Sequence, residues 1–253
     1  MNKNFYSLGL MSGTSMDGID ASIIHSDGDT EYKIILDEYF EYSKDIYRDL
    51  SDLRDKINNL NDLKKLSKET ETLEKKITLL HAKAANKIIN DSKINIDLIG
   101  FHGQTIFHST KKSFRPDERI SEQLGNGKLL AQLTKKTVVN NFRQNDILQG
   151  GEGAPLAPIF HKLLTDKHKI NLPVIILNIG GIANFTLINK NKIQAGDIGP
   201  GNCLIDQWIK KNSSKNFDTD GETARSGKIN KIILDQAIED WHDKFPNDYP
   251  LNR

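Results

Sequence analysis

Three short stretches concentrate the residue types that can do chemistry: SGTSMDG at Ser12–Gly18, NIGGIAN at Asn178–Asn184 and GDIGPGN at Gly196–Asn202. Each mixes glycines with hydroxyls, carboxamides or an acid. Glycine adopts positive φ freely and lets backbone N–H groups approach an anion, so a glycine-rich turn after a strand is a natural phosphate cradle. None of the stretches matches GxxxxGK(S/T) or GxGxxG, which argues against a P-loop NTPase and a Rossmann dehydrogenase. One such loop in each half of the chain points to a two-lobed nucleotide clamp.

The acids in these stretches are Asp17, Asp20 and Asp197. Open α/β folds place ligands at strand ends, and a carboxylate near a γ-phosphate can hold Mg²⁺ or orient the attacking oxygen. Each acid alone reads equally as a turn or cap residue, and Asp20, inside a strand pattern, as a structural hydrogen-bond partner. His102 in HGQT can be a base, a ligand contact or a packed loop histidine. Ser12, Thr14 and Ser15 lack the GxSxG elbow of a serine nucleophile, so hydroxyl contacts to phosphate or sugar are the simpler reading.

These residues need strands to present them. FYSLGLM, IDASIIH and YKIILDEYF are short apolar or alternating runs separated by turns, and predict a strand meander in the first forty residues. From Tyr42 to Asn90, the spacing of Leu60, Leu63, Leu66, Leu73, Ile77, Leu80 and Ala84 predicts two amphipathic helices packed on that sheet, with Glu71 and Lys75 on the wet side. INIDLIGFHG then predicts a strand running into HGQT. A polar loop over KKSFRPDERISEQLGNG, a helix at KLLAQLTKK and a strand at TVVNNF follow. A glycine-dense crossing at Gln149–Pro155 marks a domain break near Arg143. LPVIILNIGGIANFTLI reads as strand, turn and strand with its Ile-Ile-Leu buried, and GDIGPGN as a loop before the helix LIDQWIKK.

The chain has 253 residues, with 35 Lys and Arg against 34 Asp and Glu, for a net charge of +1. That balance gives no electrostatic reason to bind nucleic acid or an anionic membrane. A single cysteine, Cys203, cannot form an intramolecular disulfide, and the histidines lack paired zinc-ligand spacing. No apolar stretch approaches the roughly 20 residues of a membrane helix, and the N-terminus does not read as a signal peptide. The expectation is a soluble, cytoplasmic protein.

Six blocks, LGLMSGTSMDGIDASII, GFHGQTIFH, FRQNDILQGGEGAPLAP, ILNIGGIANFTLI, GDIGPGNCLIDQWI and FDTDGETARSGKIN, stand in this order between residues 8 and 230. Together they resemble the anhydro-N-acetylmuramic acid kinases of the sugar kinase, hsp70 and actin superfamily. HGQT and GGEGAPLAP match that family better than a kinase for another sugar or for acetate. The resemblance implies an α/β, two-lobed actin/hsp70/sugar-kinase-like fold. Its N-terminal α/β lobe, residues 1–143, would carry the phosphate loop, and residues 144–253 would form a second α/β lobe, C-terminally shortened and incomplete. It implies ATP with Mg²⁺, whose ligands it leaves unassigned, acting on 1,6-anhydro-N-acetylmuramic acid while water opens the anhydro ring. The product is N-acetylmuramic acid 6-phosphate, for cell-wall recycling.

Carried onto matching positions, Gly13, Thr14, Ser15, Met16, Asp17, Gly18, Ile19 and Asp20 would bind ATP, and Asp197 would be the base that activates water. Ser12, His102, Gln104, Arg143 and Asp146 would be substrate-side contacts. The chain departs from the family pattern at Asn141, where Asp is usual, and at Ile198, where Thr is usual. The family's late glycine-rich nucleotide motif and a further substrate-side acid are not in this sequence. The alternative reading is therefore an inactive or partner-dependent fragment that only binds sugar or phosphate. The expected partners are the amino sugar and ATP, a second copy in a homodimer, and a separately encoded C-terminal segment.

Overall fold

The apolar runs of the first forty residues fold as β1 (Phe5–Ser12), β2 (Gly18–Ser26) and β3 (Tyr32–Glu41), an antiparallel meander. The computed structural model describes residues 3–109 and 119–244. The chain divides into two compact units, Met1–Leu156 and Ala157–Arg253.

In the first unit, β1 also pairs in parallel with β4 (Leu98–Ser109), giving the sheet order β3-β2-β1-β4-β5. The far edge of β4 is shared. β6 (Thr137–Asn140) runs parallel to Leu98–Phe101, and β5 (Ile120–Leu124) antiparallel to Gln104–Ser109. A polar loop was expected across Lys111–Gly127. Residues 111–118 lie outside the described residues, and Ile120–Leu124 is a strand, because it pairs antiparallel with the edge of β4 from Gln104 to Ser109.

Alternation along the strands gives this sheet two different faces. Leu8, Leu10, Ile19, Ala21, Ile23, Ile99 and Phe101 turn to a core closed by helices. The helical region expected as two helices contains three: α1 (Lys44–Lys56), α2 (Leu60–Lys65) and α3 (Ser67–Ser92). The extra boundaries are set by caps. Ser43 accepts from the Ile46 N–H to start α1, and a reciprocal Asn59–Asp62 capping box starts α2. Leu50 and Leu53 of α1 and Leu73, Ile77, Ala84, Ala85 and Ile88 of α3 fill the core, joined by Leu130 of α4 (Gly127–Thr134). Lys56–Glu69 and Lys76–Asp49 ion pairs link α1 to α3 at the surface, where such pairs contribute little.

The opposite face carries Gly9, Met11, Asp20, Ser22, Gly100 and His102, which with Tyr39 and Phe142 line a concavity of about 670 Å³. The TVVNNF stretch ends as a strand at Asn140, because Asn141 adopts φ 61° and starts α5 (Phe142–Leu148). Asparagine is among the non-glycine residues best suited to that left-handed region.

In the second unit, α6 (Pro158–Lys167) precedes an antiparallel meander of β7 (Val174–Ile179), β8 (Ile182–Ile188) and β9 (Ile193–Pro200). α7 (Cys203–Asn212), a 3₁₀ turn (Thr219–Gly221), α8 (Glu222–Ser226) and α9 (Lys231–Lys244) follow. Thr186 and Ile188 are buried on one sheet face, where His161 of α6 bonds the Thr186 hydroxyl at 2.8 Å. The Ile-Ile-Leu run was expected to be buried. Instead Ile175 and Leu177 are 61% and 52% exposed, because they point to the other face, which is open among the described residues. No helix among the described residues is long and apolar enough to cross a membrane.

His81 of α3 is a fully buried titratable group in the core of the first unit. Its Nδ1 lies 2.9 Å from the Ile77 carbonyl and must carry the proton, and its ring stands edge-on to Phe101. Its Nε2 is buried without a hydrogen-bond partner. Burial holds the imidazole neutral and lowers its pKa from 6.5 to about 4. A depressed folded-state pKa stabilises the fold above the unfolded value and loses that contribution as pH falls. Stability is therefore expected to fall between pH 6.5 and about 4, by on the order of 3 kcal/mol from this group. Urea titrations across that window should show this slope in the wild type and a flatter one in His81→Leu.

Candidate functional site

The SGTSMDG stretch joins β1 to β2, and its side chains divide into a buried set and an outward set. Ser12, Met16, Gly18 and Ile19 are buried, whereas Thr14, Ser15, Asp17 and Asp20 are exposed. Met16 turns the chain back with φ 58°, its N–H donating to the Gly13 carbonyl at 3.1 Å and its side chain sunk in the core. Burial of the methionine offsets a conformation that such residues seldom adopt. Gly18 has no alternative, since a Cβ there would meet the Phe40 carbonyl at 2.5 Å and the Tyr39 ring at 2.6 Å.

The loop is held from beneath by polar groups. Ser12 Oγ lies 2.7 Å from the Gly18 carbonyl, 2.6 Å from Gln104 Oε1 and 3.1 Å from the Tyr42 hydroxyl. Gln104 Nε2 donates to the Gly13 carbonyl at 2.8 Å, and the Tyr42 N–H donates to the Asp17 carbonyl at 2.8 Å. Ser12 and Gln104 are thus fully buried, their polar atoms turned to the loop. On the exposed side, Ser15 Oγ donates to Asp17 Oδ1 at 2.6 Å. Asp20 has its pKa raised by partial burial and then by the Asp17 charge.

Two residues after Gly100 on β4, His102 projects into the outer concavity by ordinary strand alternation. Leu10 pairs with Phe101 but Met11 pairs with Gly103, so His102 is the extra residue of a bulge, and the slip turns Gln104 inward to pair with the buried Ser12. Gly103, at φ 77°, leaves no room for a Cβ, which would meet the Leu124 carbonyl at 2.5 Å. Arg143 Nε donates to His102 Nε2 at 2.8 Å, so Nε2 is the acceptor and Nδ1–H donates to the Gly103 carbonyl at 2.8 Å. Burial first, with Arg143 adding its charge, lowers the His102 pKa and keeps the imidazole neutral. Arg143 Nη1 reaches the Gly153 carbonyl at 3.1 Å, and the Gly153 N–H reaches Asp146 Oδ2 at 2.8 Å. The FRQND and GGEG stretches are therefore one folded-back unit. His102, Arg143 and Asp146 belong to it, while Gln104 and Ser12 lie under the loop.

In the second unit, GDIGPGN is mostly strand rather than loop. Ile193–Pro200 is β9, because it has β8 to pair with, and only Gly201 and Asn202 turn before α7. Asp197 stands exposed in one cross-strand row with Asn184 of β8 and Asn178 of β7. Ala183 pairs with Gly199 and Asn184 with Asp197, so Ile198 is the extra residue of a bulge beside Asp197. The two glycine motifs of this unit are tied together. Gly201 N–H donates to Gly181 O at 2.9 Å, Asn202 N–H to Gly180 O at 2.7 Å, and Asn202 Nδ2 to Ile179 O at 3.0 Å.

Sequence reasoning missed Tyr42, which sits just past a strand pattern and gives no motif signal. It also missed the Asn178–Asn184–Asp197 row, which only the strand register creates. A Cβ on Gly201 would meet the Gly180 carbonyl at 2.1 Å, a backbone atom that cannot swing aside, whereas Gly181 has open space. Gly201→Ala should therefore destabilise the second unit by about 1–3 kcal/mol, and Gly181→Ala should stay within about 0.5 kcal/mol. Denaturant midpoints of the two variants check the contrast.

The family model for anhydro-N-acetylmuramic acid kinase matches residues 5–248. A protein of that name from Pelagibacter ubique is 51% identical over 255 residues, covering 100% of this chain and 66% of the relative. Those from Agrobacterium fabrum and Haemophilus influenzae are 38% and 35% identical, covering 92% and 93% of this chain and 62% and 59% of the relatives. The chain thus spans just under two thirds of the length of these relatives, and its mixed α/β units with strand-end glycine loops suit a sugar-kinase-like fold. On this evidence the chain belongs to the anhydro-N-acetylmuramic acid kinase family.

Proposed function

We propose that this chain supplies the ATP loop and the water-activating base of a cytoplasmic kinase. It converts 1,6-anhydro-N-acetylmuramic acid to N-acetylmuramic acid 6-phosphate in cell-wall recycling. The observation that carries the reading is the 51% identity, across the whole of this chain, to a relative named for that sugar. The loop geometry supports it: Thr14, Ser15 and Asp17 face outward from a backbone anchored beneath. Its hydroxyls and N–H groups suit phosphate oxygens.

Asp17 and Asp20 suit Mg²⁺, since this ion is held by one or two carboxylates with substrate phosphates and water. The Asp17 charge that raises the Asp20 pKa is the repulsion a cation relieves. When bound, the ion neutralises charge on the phosphates. Asp197, exposed on β9, accepts a proton from water as the water oxygen bonds to the anomeric carbon. The bond from that carbon to the bridging 6-oxygen breaks, and the 6-oxygen takes the γ-phosphoryl group as ADP leaves. Arg143, oriented by His102 and with Asp146 behind it, contributes donors to the sugar, and His102 forms part of the wall beside it.

A second reading is favoured by two observations: the chain spans 59–66% of its relatives' length, and unit two leaves Ile175, Leu177 and Ile179 exposed. On this reading the fragment binds ligand but turns over only when a further polypeptide covers that face. The cover is equivalent to the relatives' remaining third; self-association of this chain is the competing outcome that sedimentation detects.

Two measurements follow. In an active preparation, Asp197→Asn should lower kcat by about 10²–10⁴ while ATP affinity barely moves, because it removes basicity but keeps shape. Near-normal turnover would mean that another group is the base. Coupled ADP-release assays of this chain, with and without the remaining third of the Pelagibacter relative in trans, should show little turnover alone and a clear gain on addition. Full activity of the chain alone would remove the partner-dependent reading.

A further inference from the structure

We infer that Tyr42 is a positioning residue for the loop at Gly13–Gly18, acting through Ser12. The inference rests on reading that loop as the phosphate-binding element. Proton accounting carries it. Gln104 uses its amide protons on the Gly13 carbonyl at 2.8 Å and the Thr105 carbonyl at 3.2 Å, so its Oε1 can only accept. The Gly18 carbonyl can only accept as well. Both lie within 2.7 Å of Ser12 Oγ, which has a single proton to share between them. Nothing is left for the Tyr42 hydroxyl at 3.1 Å to receive from Ser12, so Tyr42 must be the donor. Ser12 is wholly buried, and no other donor reaches its oxygen in the described structure.

The lock clasps both ends of the loop. Gln104, from β4, holds the carbonyl of Gly13, where the loop leaves β1. Ser12, from β1, holds the carbonyl of Gly18, where the loop enters β2. The backbone N–H of Tyr42 holds the Asp17 carbonyl between them. Tyr42 itself is fixed in the joint between β3 and α1, next to Ser43, whose side chain caps the helix. A single tyrosine therefore touches the loop through its main chain and orients the Ser12–Gln104 pair through its side chain. Loop residues held in advance lose less freedom when a phosphate arrives, which strengthens binding without a direct contact.

Wild type, Tyr42→Phe, Ser12→Ala and the double variant test this, with urea midpoints confirming that each is folded. Tyr42→Phe removes one hydroxyl and keeps the packing of the ring. Amide hydrogen exchange should quicken about five- to tenfold at Met16 and residue 42, the two N–H groups bonded to loop carbonyls, with Leu8 and Ile23 in the strands unchanged. Calorimetric affinity for ATP with Mg²⁺ should weaken by a similar factor. In the Ser12→Ala background, Tyr42→Phe should add almost nothing to either quantity. Unchanged exchange at Met16 and residue 42, exchange that quickens evenly through β1 and β2, or effects that add fully in the double variant would each overturn the inference. Should the wild type bind no ATP, the phosphate-loop reading falls, and exchange in the four proteins still decides whether Tyr42 locks the loop through Ser12.

Discussion

The parallel pairing of β1 with β4 is the constraint on which the first unit depends. It brings residues far apart in sequence, Ser12 at the end of β1 and Gln104 within β4, side by side, and their 2.6 Å contact begins the network beneath the glycine loop. Alternation along β4 keeps Phe101 in the core and turns His102 to the other sheet face. The one-residue slip between Leu10 and Met11 then turns Gln104 inward; without it Gln104 would share the outward face of Gly100 and His102 and would not lie beneath the loop. The pairing therefore decides what holds the loop, and alternation decides which group Arg143 can meet.

Glycine has a different use in each unit. In the first, Gly18 and Gly103 are required where a strand end crosses a neighbouring backbone closely, and the loop between Gly13 and Gly18 is held by side chains. In the second, two glycine motifs are bound to each other by backbone hydrogen bonds, and Gly201 sits against the Gly180 carbonyl. The resulting turn anchors one end of β9, and the bulge at Ile198 lies between it and Asp197. Charge is arranged to match. His102 is kept neutral by burial and a fixed cation, and Asp20 is pushed toward its neutral form by burial and Asp17.

Much of the fold was legible because periodicity is a local signal. The three N-terminal strands, the long amphipathic helix, α4, the β7–β8 hairpin and α7 stand where apolar spacing predicts them. The misread parts depend on partners that a local pattern does not name. Ile120–Leu124 is polar enough to read as a loop and is a strand because β4 offers an edge. GDIGP reads as a glycine loop and is a strand because β8 is beside it. Ile175 and Leu177 read as core from their composition, yet their burial depends on what lies over their sheet face.

The sequence by itself determined most element types, the position of the Ser12–Gly18 loop and, through six ordered blocks, the family. Those properties follow from residue type and spacing along the chain. Only the tertiary structure decided which candidate residues act together. It put Ser12 and Gln104 under the loop with Tyr42, joined His102 to Arg143 and Asp146, and set Asp197 in a row with Asn184 and Asn178. The reason is physical: a hydrogen bond reaches only about 3 Å, and strand register, which brings distant residues within that reach, is fixed by the pairing of whole strands.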